Sequence, residues 1–140
     1  MVGKNAFIVL AEGAEEMEFV VSADILRRAG VTILHDMHPM FVTPSNFVYL
    51  SLQSSEVGAL LKEQEKANRL IAAICAGENL IINRATKKST LFSKMYLNFP
   101  GNVVTSRGPG TAYEFALEIV KILFGRSSSQ KVADALLWKK

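Results

Sequence analysis

The chain has 140 residues, 49% hydrophobic and 21% charged, with a mean hydropathy of +0.20; one compact domain over residues 1–140 is expected and intrinsic disorder is not. A balance of 16 basic against 13 acidic side chains gives a net charge of +3 with no run of five like charges, so no specific nucleic-acid partner is implied. The single cysteine excludes an internal disulfide framework and any multi-thiolate metal site, and it points to a reducing compartment.

In chain order, only six apolar or small residues, Ala6 to Ala11, precede Glu12. That is too short for a signal segment or a membrane span, so a cytoplasmic protein without a membrane partner is expected. Ala6 to Leu10 is a continuous apolar run of strand length, the pattern of a central parallel strand covered on both faces. Glu15 to Ala29 then places acid first, apolar residues at Met17, Val20, Val21, Ile25 and Leu26, and Arg27 and Arg28 last, with Gly30 just beyond. This order predicts a helix closed by a glycine in the left-handed region. Val31 to Leu34 reads as a second strand. From His35 to Gln53 two prolines interrupt apolar residues of no sustained period, and no element is assigned.

Ser55 to about Ala67 reads as a helix, with Val57, Leu60, Leu61 and Gln64 on one face. Leu70 to Ile74 is a short apolar strand that runs straight into Cys75-Ala76-Gly77, and Glu78 to Ile82 can begin a helix. Asn83 to Phe99 is read mostly as loop. Val103 to Ser106 is a strand, Gly108-Pro109-Gly110 a rigid turn, and Thr111 the cap of a helix from Ala112 to Phe124 that Gly125 ends. A last helix from about Ser129 to Leu137 carries Trp138, read as a docking contact. Strands alternating with helices predict an α/β layer sandwich of the doubly wound kind. Ligands of such folds collect at the carboxyl ends of the strands. The turns Ala11 to Glu18, Cys75 to Gly77 and Ser106 to Thr111 lie there.

Cys75 follows a strand and precedes a helix, a position like a nucleophile elbow, where a positive helix end favours a thiolate. A lone cysteine is more often a buried core residue. Glu15, Glu16 and Glu18 read first as favourable surface charge at a helix start; Glu18, set among Met17, Val20 and Val21, also fits a partly buried carboxyl that stays protonated and donates a hydrogen bond. His35 and His38 read as surface residues, and with one cysteine no metal spacing exists. Gly108-Pro109-Gly110 matches neither a P-loop nor a dinucleotide fingerprint. Arg107 beside it suits an anion or an ordinary ion pair.

Five blocks, Ala11-Glu-Gly-Ala-Glu-Glu-Met-Glu18, Asp24-Ile-Leu-Arg-Arg-Ala-Gly30, Leu61-Lys-Glu-Gln-Glu65, Leu70-Ile-Ala-Ala-Ile-Cys-Ala-Gly77 and Thr105-Ser-Arg-Gly-Pro-Gly-Thr-Ala-Tyr-Glu-Phe-Ala116, closely resemble the ThiJ/PfpI superfamily in its Parkinson disease protein deglycase branch. The resemblance implies a flavodoxin-like, mostly parallel α/β sandwich that forms homodimers; Met17, Val20 and Val21 on the first helix are the surface expected to do so. It implies a reactive thiol at Cys75, a protonated Glu18 bonded to it, and substrate or anion contacts at Ala76, Arg107 and Gly108. It further implies oxidation of the thiol to a sulfinate, cofactor-free glyoxalase or protein-deglycase chemistry on small aldehydes or glycated proteins, a chaperone role, and nuclear or mitochondrial as well as cytoplasmic location.

The sequence departs from the family's pattern in stating no Gly-Gly turn, whose N–H groups form the oxyanion site there, and no histidine after Cys75. Glu78-Asn79 replaces a proline after the elbow, and the chain is shorter than family members by central segments. The expectation is therefore a truncated member with a redox-responsive Cys75–Glu18 pair and residual deglycase or glyoxalase activity. A non-catalytic dimerising or chaperone-like protein is the alternative, and a cysteine peptidase, lacking histidine after Cys75, ranks last.

Overall fold

In a computed structural model of the chain, the described residues are 4–8, 14–35, 55–75 and 103–139. Strand β1 (Lys4–Ile8) leads to helix α1 (Glu16–Arg28) and strand β2 (Val31–His35). Helix α2 (Ser55–Lys66) is followed by strand β3 (Ile71–Ile74). Strand β4 (Val103–Ser106), a single 3-10 turn (Pro109–Thr111), α3 (Ala112–Phe124) and α4 (Arg126–Ala135) complete the order.

The described strands form two parallel pairs. β1 pairs with β2 from Lys4 opposite Val31 to Ile8 opposite His35, and β3 pairs with β4 from Ile71 opposite Val103 to Ile74 opposite Ser106. Parallel neighbours need a crossover, which α1 supplies between β1 and β2. Side chains alternate along β3 and β4, so each pair presents two faces. Ile71, Ala73 and Val103 pack with Leu61 of α2. Val104 and Ile74 instead join the main core, built from Ile25 and Leu26 of α1 and Phe115, Ala116, Ile119 and Val120 of α3. Helices thus cover both faces of the β3–β4 pair, the doubly wound arrangement that alternation of elements predicts.

The strand covered on both faces is β4, all four of whose residues are buried. The sequence assigns that role to Ala6–Leu10, and among the described residues this is corrected. The strand starts two residues earlier, at Lys4, and Phe7 is 50% exposed. Lys4 and Asn5 join the ladder through backbone bonds, to which their polar side chains are no obstacle.

Gly30 closes α1 at a φ of 88°, donating its N–H to the carbonyl of Arg27. That backbone region is open to glycine at no steric cost. α4 begins at Arg126, three residues before its expected start. Ser129 does not open the helix; its hydroxyl donates to the carbonyl of Leu117 at 2.8 Å, fastening α4 to α3. Trp138 stacks on Tyr113, ring centres 4.9 Å apart and planes within 4°, so it docks the tail as expected. The expected helix from Glu78, the loop 83–99 and both histidine side chains lie outside the described residues. Among those residues, no helix is long and apolar enough to cross a membrane.

Among the described residues the largest fully buried side chains are Ile25 of α1, 1% exposed, and Val120 of α3. Ile25→Ala is expected to cost about 2–5 kcal/mol, whereas Ile122→Ala, on the exposed side of α3, is expected to change stability by roughly 0.5 kcal/mol or less. Urea unfolding of the two variants checks this; equal effects would mean that α1 does not bury its apolar face as described.

Candidate active site

Cys75 is the first residue beyond β3. Its N–H donates to the carbonyl of Ser106 at 2.8 Å, which continues the β3–β4 ladder by one step. Its φ is 58°, in the left-handed region. A non-glycine residue held there costs on the order of 1–3 kcal/mol and persists only where its surroundings impose it. Strand alternation alone would carry residue 75 toward the α2 face, with Ile71 and Ala73. The left-handed turn breaks the alternation, and the side chain instead hydrogen-bonds Glu18 of α1.

Glu18 occupies the first turn of α1, its N–H bonded to the carbonyl of Glu15. The carboxyl is buried, at 8% exposure, so the surface-charge reading is overturned for this residue; Glu15 and Glu16 are exposed and retain it. Burial pushes the Glu18 carboxyl above its ordinary value, against the hydrogen bond with Cys75, which favours the carboxylate; the negative charge of Glu15 adds to the rise. Atom Oε1 is buried without a hydrogen-bond partner, a further cost that the neutral acid lessens. It lies beside Gly108: a methyl group built there would stand 3.9 Å from it.

Gly108 and Arg107 follow β4, so the carboxyl ends of β3 and β4 and the start of α1 meet at one place. Of the residues singled out in the sequence, Cys75, Glu18 and Gly108 are brought together. Arg107 is exposed beside them, and Ala76 lies outside the described residues. Two members are missed by sequence reasoning. Ser106 and Thr111 join hydroxyls at 2.6 Å beneath the Gly108 turn. The signal that could have found them is a serine hydroxyl at the end of a buried strand, which needs a partner.

A thiol, a carboxyl shifted by burial toward its neutral form and a strained turn at the strand ends can together share one proton between sulfur and oxygen. The protein-family model described as the DJ-1/PfpI family matches residues 49–122. Protein dj-1beta of Drosophila melanogaster is 37% identical over 181 residues, covering 96% of this chain and 97% of its own. This chain belongs to the DJ-1/PfpI family. Other members similar to it are the Parkinson disease protein 7 homolog of Danio rerio, 33% identical with 99% and 100% coverage, and the glutathione-independent glyoxalase DJR-1.2 of Caenorhabditis elegans, 31% identical with 95% and 96% coverage. The crystal structure of Drosophila DJ-1beta superposes with a TM-score of 0.84 at 32% identity, covering 99% of this chain and all of that one. The flavodoxin-like fold implied by the five sequence blocks is thereby shown for this DJ-1/PfpI chain. A match of 181 residues exceeds the 140 of this chain, so it spans internal deletions here, in keeping with the expected shortening.

A carboxyl whose folded value is raised contributes stability fully below its ordinary value, and that contribution is lost as pH rises through the raised one. Glu18→Gln is neutral at every pH. Its melting temperature is therefore expected to match the parent's below pH 4.5, the ordinary value for this group, and to exceed it near pH 8. Thermal melts at the two pH values decide this, and a parent that gains on the variant with rising pH would refute the burial-driven shift.

Proposed function

We propose that this chain is a redox-responsive cysteine protein of the oxidative-stress response, with Cys75 as the reactive thiol and Glu18 as its proton donor. The observation that carries the reading is the hydrogen bond between Cys75 and a buried carboxyl whose neutral form is favoured. A neutral acid donating to sulfur stabilises the thiolate, which is the nucleophile. With peroxide, the thiolate attacks one oxygen, an S–O bond forms as the O–O bond breaks, and the departing hydroxide takes a proton to leave as water. A second peroxide adds a second oxygen, and the sulfinate keeps the Glu18 hydrogen bond.

Glyoxalase and protein-deglycase activity on methylglyoxal-type adducts is the enzymatic part of the proposal, supported by similarity to the nematode glutathione-independent glyoxalase. Attack of the thiolate on the aldehyde carbon forms a C–S bond, while the carbonyl oxygen takes the proton from Glu18. Lactate is methylglyoxal plus water, so the conversion needs neither oxidant nor reductant. Without a Gly-Gly turn or a histidine after Cys75, stabilisation of the developing oxyanion is the weak point of this chemistry. Oxidation of sulfur needs only the thiolate and its donor, and it stands first for that reason. Ala76, Arg107 and Gly108 are proposed to meet the substrate or its anion. The compartment proposed is cytoplasmic, with nuclear and mitochondrial pools as the family resemblance implies.

An interaction role is favoured by a separate observation. Met17 and Val20 on α1 are 54% and 58% exposed, and Val21 between them and the core is partly buried. Homodimer formation through this helix face is proposed, with chaperone-like binding as its non-catalytic form. Val20→Lys is expected to convert a dimeric mass in light scattering to a monomeric one; an unchanged mass would remove this face from the proposal.

Intact-mass spectrometry after graded peroxide is expected to show two oxygens added at Cys75 and few in Glu18→Leu; equal oxidation of both would sink the pair. Lactate released from methylglyoxal by the parent and absent in Cys75→Ser would support the enzymatic part, and no release at high protein concentration would leave the sensor without an enzyme.

A further inference from the structure

We propose that Ser106 and Thr111 are positioning residues for the Cys75–Glu18 pair, acting through a hydroxyl relay that ties the thiol's backbone to the wall over the acid. The inference rests on the reading of Cys75 and Glu18 as a functional pair.

Both members of the pair are bounded by one short segment of chain. The Ser106 carbonyl holds the Cys75 N–H at 2.8 Å, and Gly108, two residues on, lies against Oε1 of Glu18. Between these two points the segment is held by hydroxyls. Thr111 Oγ1 donates to the Gly108 carbonyl at 2.8 Å, which can only accept. The single proton of that hydroxyl is then used, so Ser106 Oγ must be the donor in the 2.6 Å bond to Thr111 Oγ1. The N–H of Thr111 also donates to the Gly108 carbonyl at 2.9 Å, and the N–H of Gly108 points back to Thr111 Oγ1 at 3.4 Å.

Thr111 stands at the N-cap of α3, where a threonine hydroxyl ordinarily accepts a bond from the first turn of its helix. It makes no such bond. The hydroxyl is spent on the loop instead, so its contribution is to the site rather than to the helix. Ser106, for its part, is 3% exposed at the end of a strand whose other residues are two valines and a threonine. A buried hydroxyl there is costly without a partner and adds nothing to packing that alanine would not. Its pairing with Thr111 accounts for it.

The relay fixes two things together: the carbonyl that imposes the left-handed turn at Cys75, and the distance between Gly108 and the Glu18 carboxyl. Loosening it lets water reach the acid and lets the elbow relax toward strand geometry, so the sulfur loses its donor. The ionisable residues closest to the acid on the elements around it are Glu15 at the N-cap of α1, Glu16 in its first turn, Cys75 at the elbow, Arg107 on the loop and Glu114 in the first turn of α3. The substitutions at Thr111 and Ser106 alter none of them.

The pH dependence of Cys75 alkylation by iodoacetamide tests the proposal on the full chain. Thr111→Val, close in shape but without the hydroxyl, is expected to raise the midpoint by about one pH unit, roughly a tenfold loss of alkylation rate below the midpoint. Thr111→Ser is expected to restore the parent profile, which a merely structural role for the side chain's bulk would not produce. Ser106→Ala should shift the midpoint in the same direction and carries the test if Thr111→Val fails to fold by circular dichroism. Glu18→Leu separates the two levels: if it moves the midpoint while Thr111→Val and Ser106→Ala leave it at the parent value, the relay is refuted and the pair stands. If Glu18→Leu also leaves it unmoved, the pair itself is refuted and the relay with it.

Discussion

Taking the carboxyl of Glu18 out of water is the constraint on which the site depends. Two influences favour its ionised form, the Cys75 hydrogen bond and the start of α1, where partial positive charge accumulates. Burial opposes both and prevails, with the charge of Glu15 on its side. A solvated carboxyl at the same place would be ionised at neutral pH and would repel a thiolate. Excluding water moves the same residue toward its neutral form, the form that the proposed function requires as a donor to sulfur. The burial is supplied from a distance, by the packing of Ile25 and Leu26 against Phe115, Ala116 and Val120, which presses α1 onto the strand ends.

The cost of the arrangement is concentrated at the elbow. Cys75 holds a left-handed conformation and Glu18 Oε1 goes without a hydrogen bond, each unfavourable by itself. Among the described residues, Asn68 and Leu137 also hold positive φ and Ser22 and Glu114 also bury an unmet side-chain oxygen; at Cys75 and Glu18 the two kinds of cost fall on bonded partners. The surroundings that enforce them are the rigid parts: β4, buried throughout, and the Gly108 turn stitched by Thr111.

Legibility of this structure in its sequence follows from how local each determinant is. Val103–Ser106 and Ala112–Phe124 are observed at the boundaries that the apolar run and the helical period assign, because a proline-glycine turn and Gly125 delimit them. β1 is displaced because an apolar-run criterion overlooks Lys4 and Asn5, whose place in the strand is set by backbone pairing with Val31 and Thr32. The serines before α4 mislead in the opposite sense: Ser128 and Ser129 resemble caps, yet inside the helix their hydroxyls bond carbonyls of Phe124 and Leu117. Glu18 is the instructive residue of the site. Its position in a first helical turn fits surface charge and buried acid equally, and only the packing of α1 on a segment some ninety residues away in the chain separates them. Thr111 is read from sequence as a cap because its position is right; the direction in which its hydroxyl turns is set by Ser106, a tertiary fact.

Shortening of the chain relative to its relatives bears on which of the proposed chemistries the site can support. An aldehyde reaction makes two demands on the protein, a nucleophile and a cradle for the negative oxygen that nucleophile creates. The first is built from β3, β4 and α1, all present. The second, in the family pattern, belongs to a Gly-Gly turn and a histidine that this sequence lacks. Peroxide places its negative charge on a departing hydroxide that a single proton neutralises, so the acid beside the sulfur meets the whole demand. Loss of central segments therefore removes support from carbonyl chemistry before it removes support from sulfur oxidation. The same reasoning makes the hydroxyl relay more consequential here, because the elbow has fewer other elements to hold it.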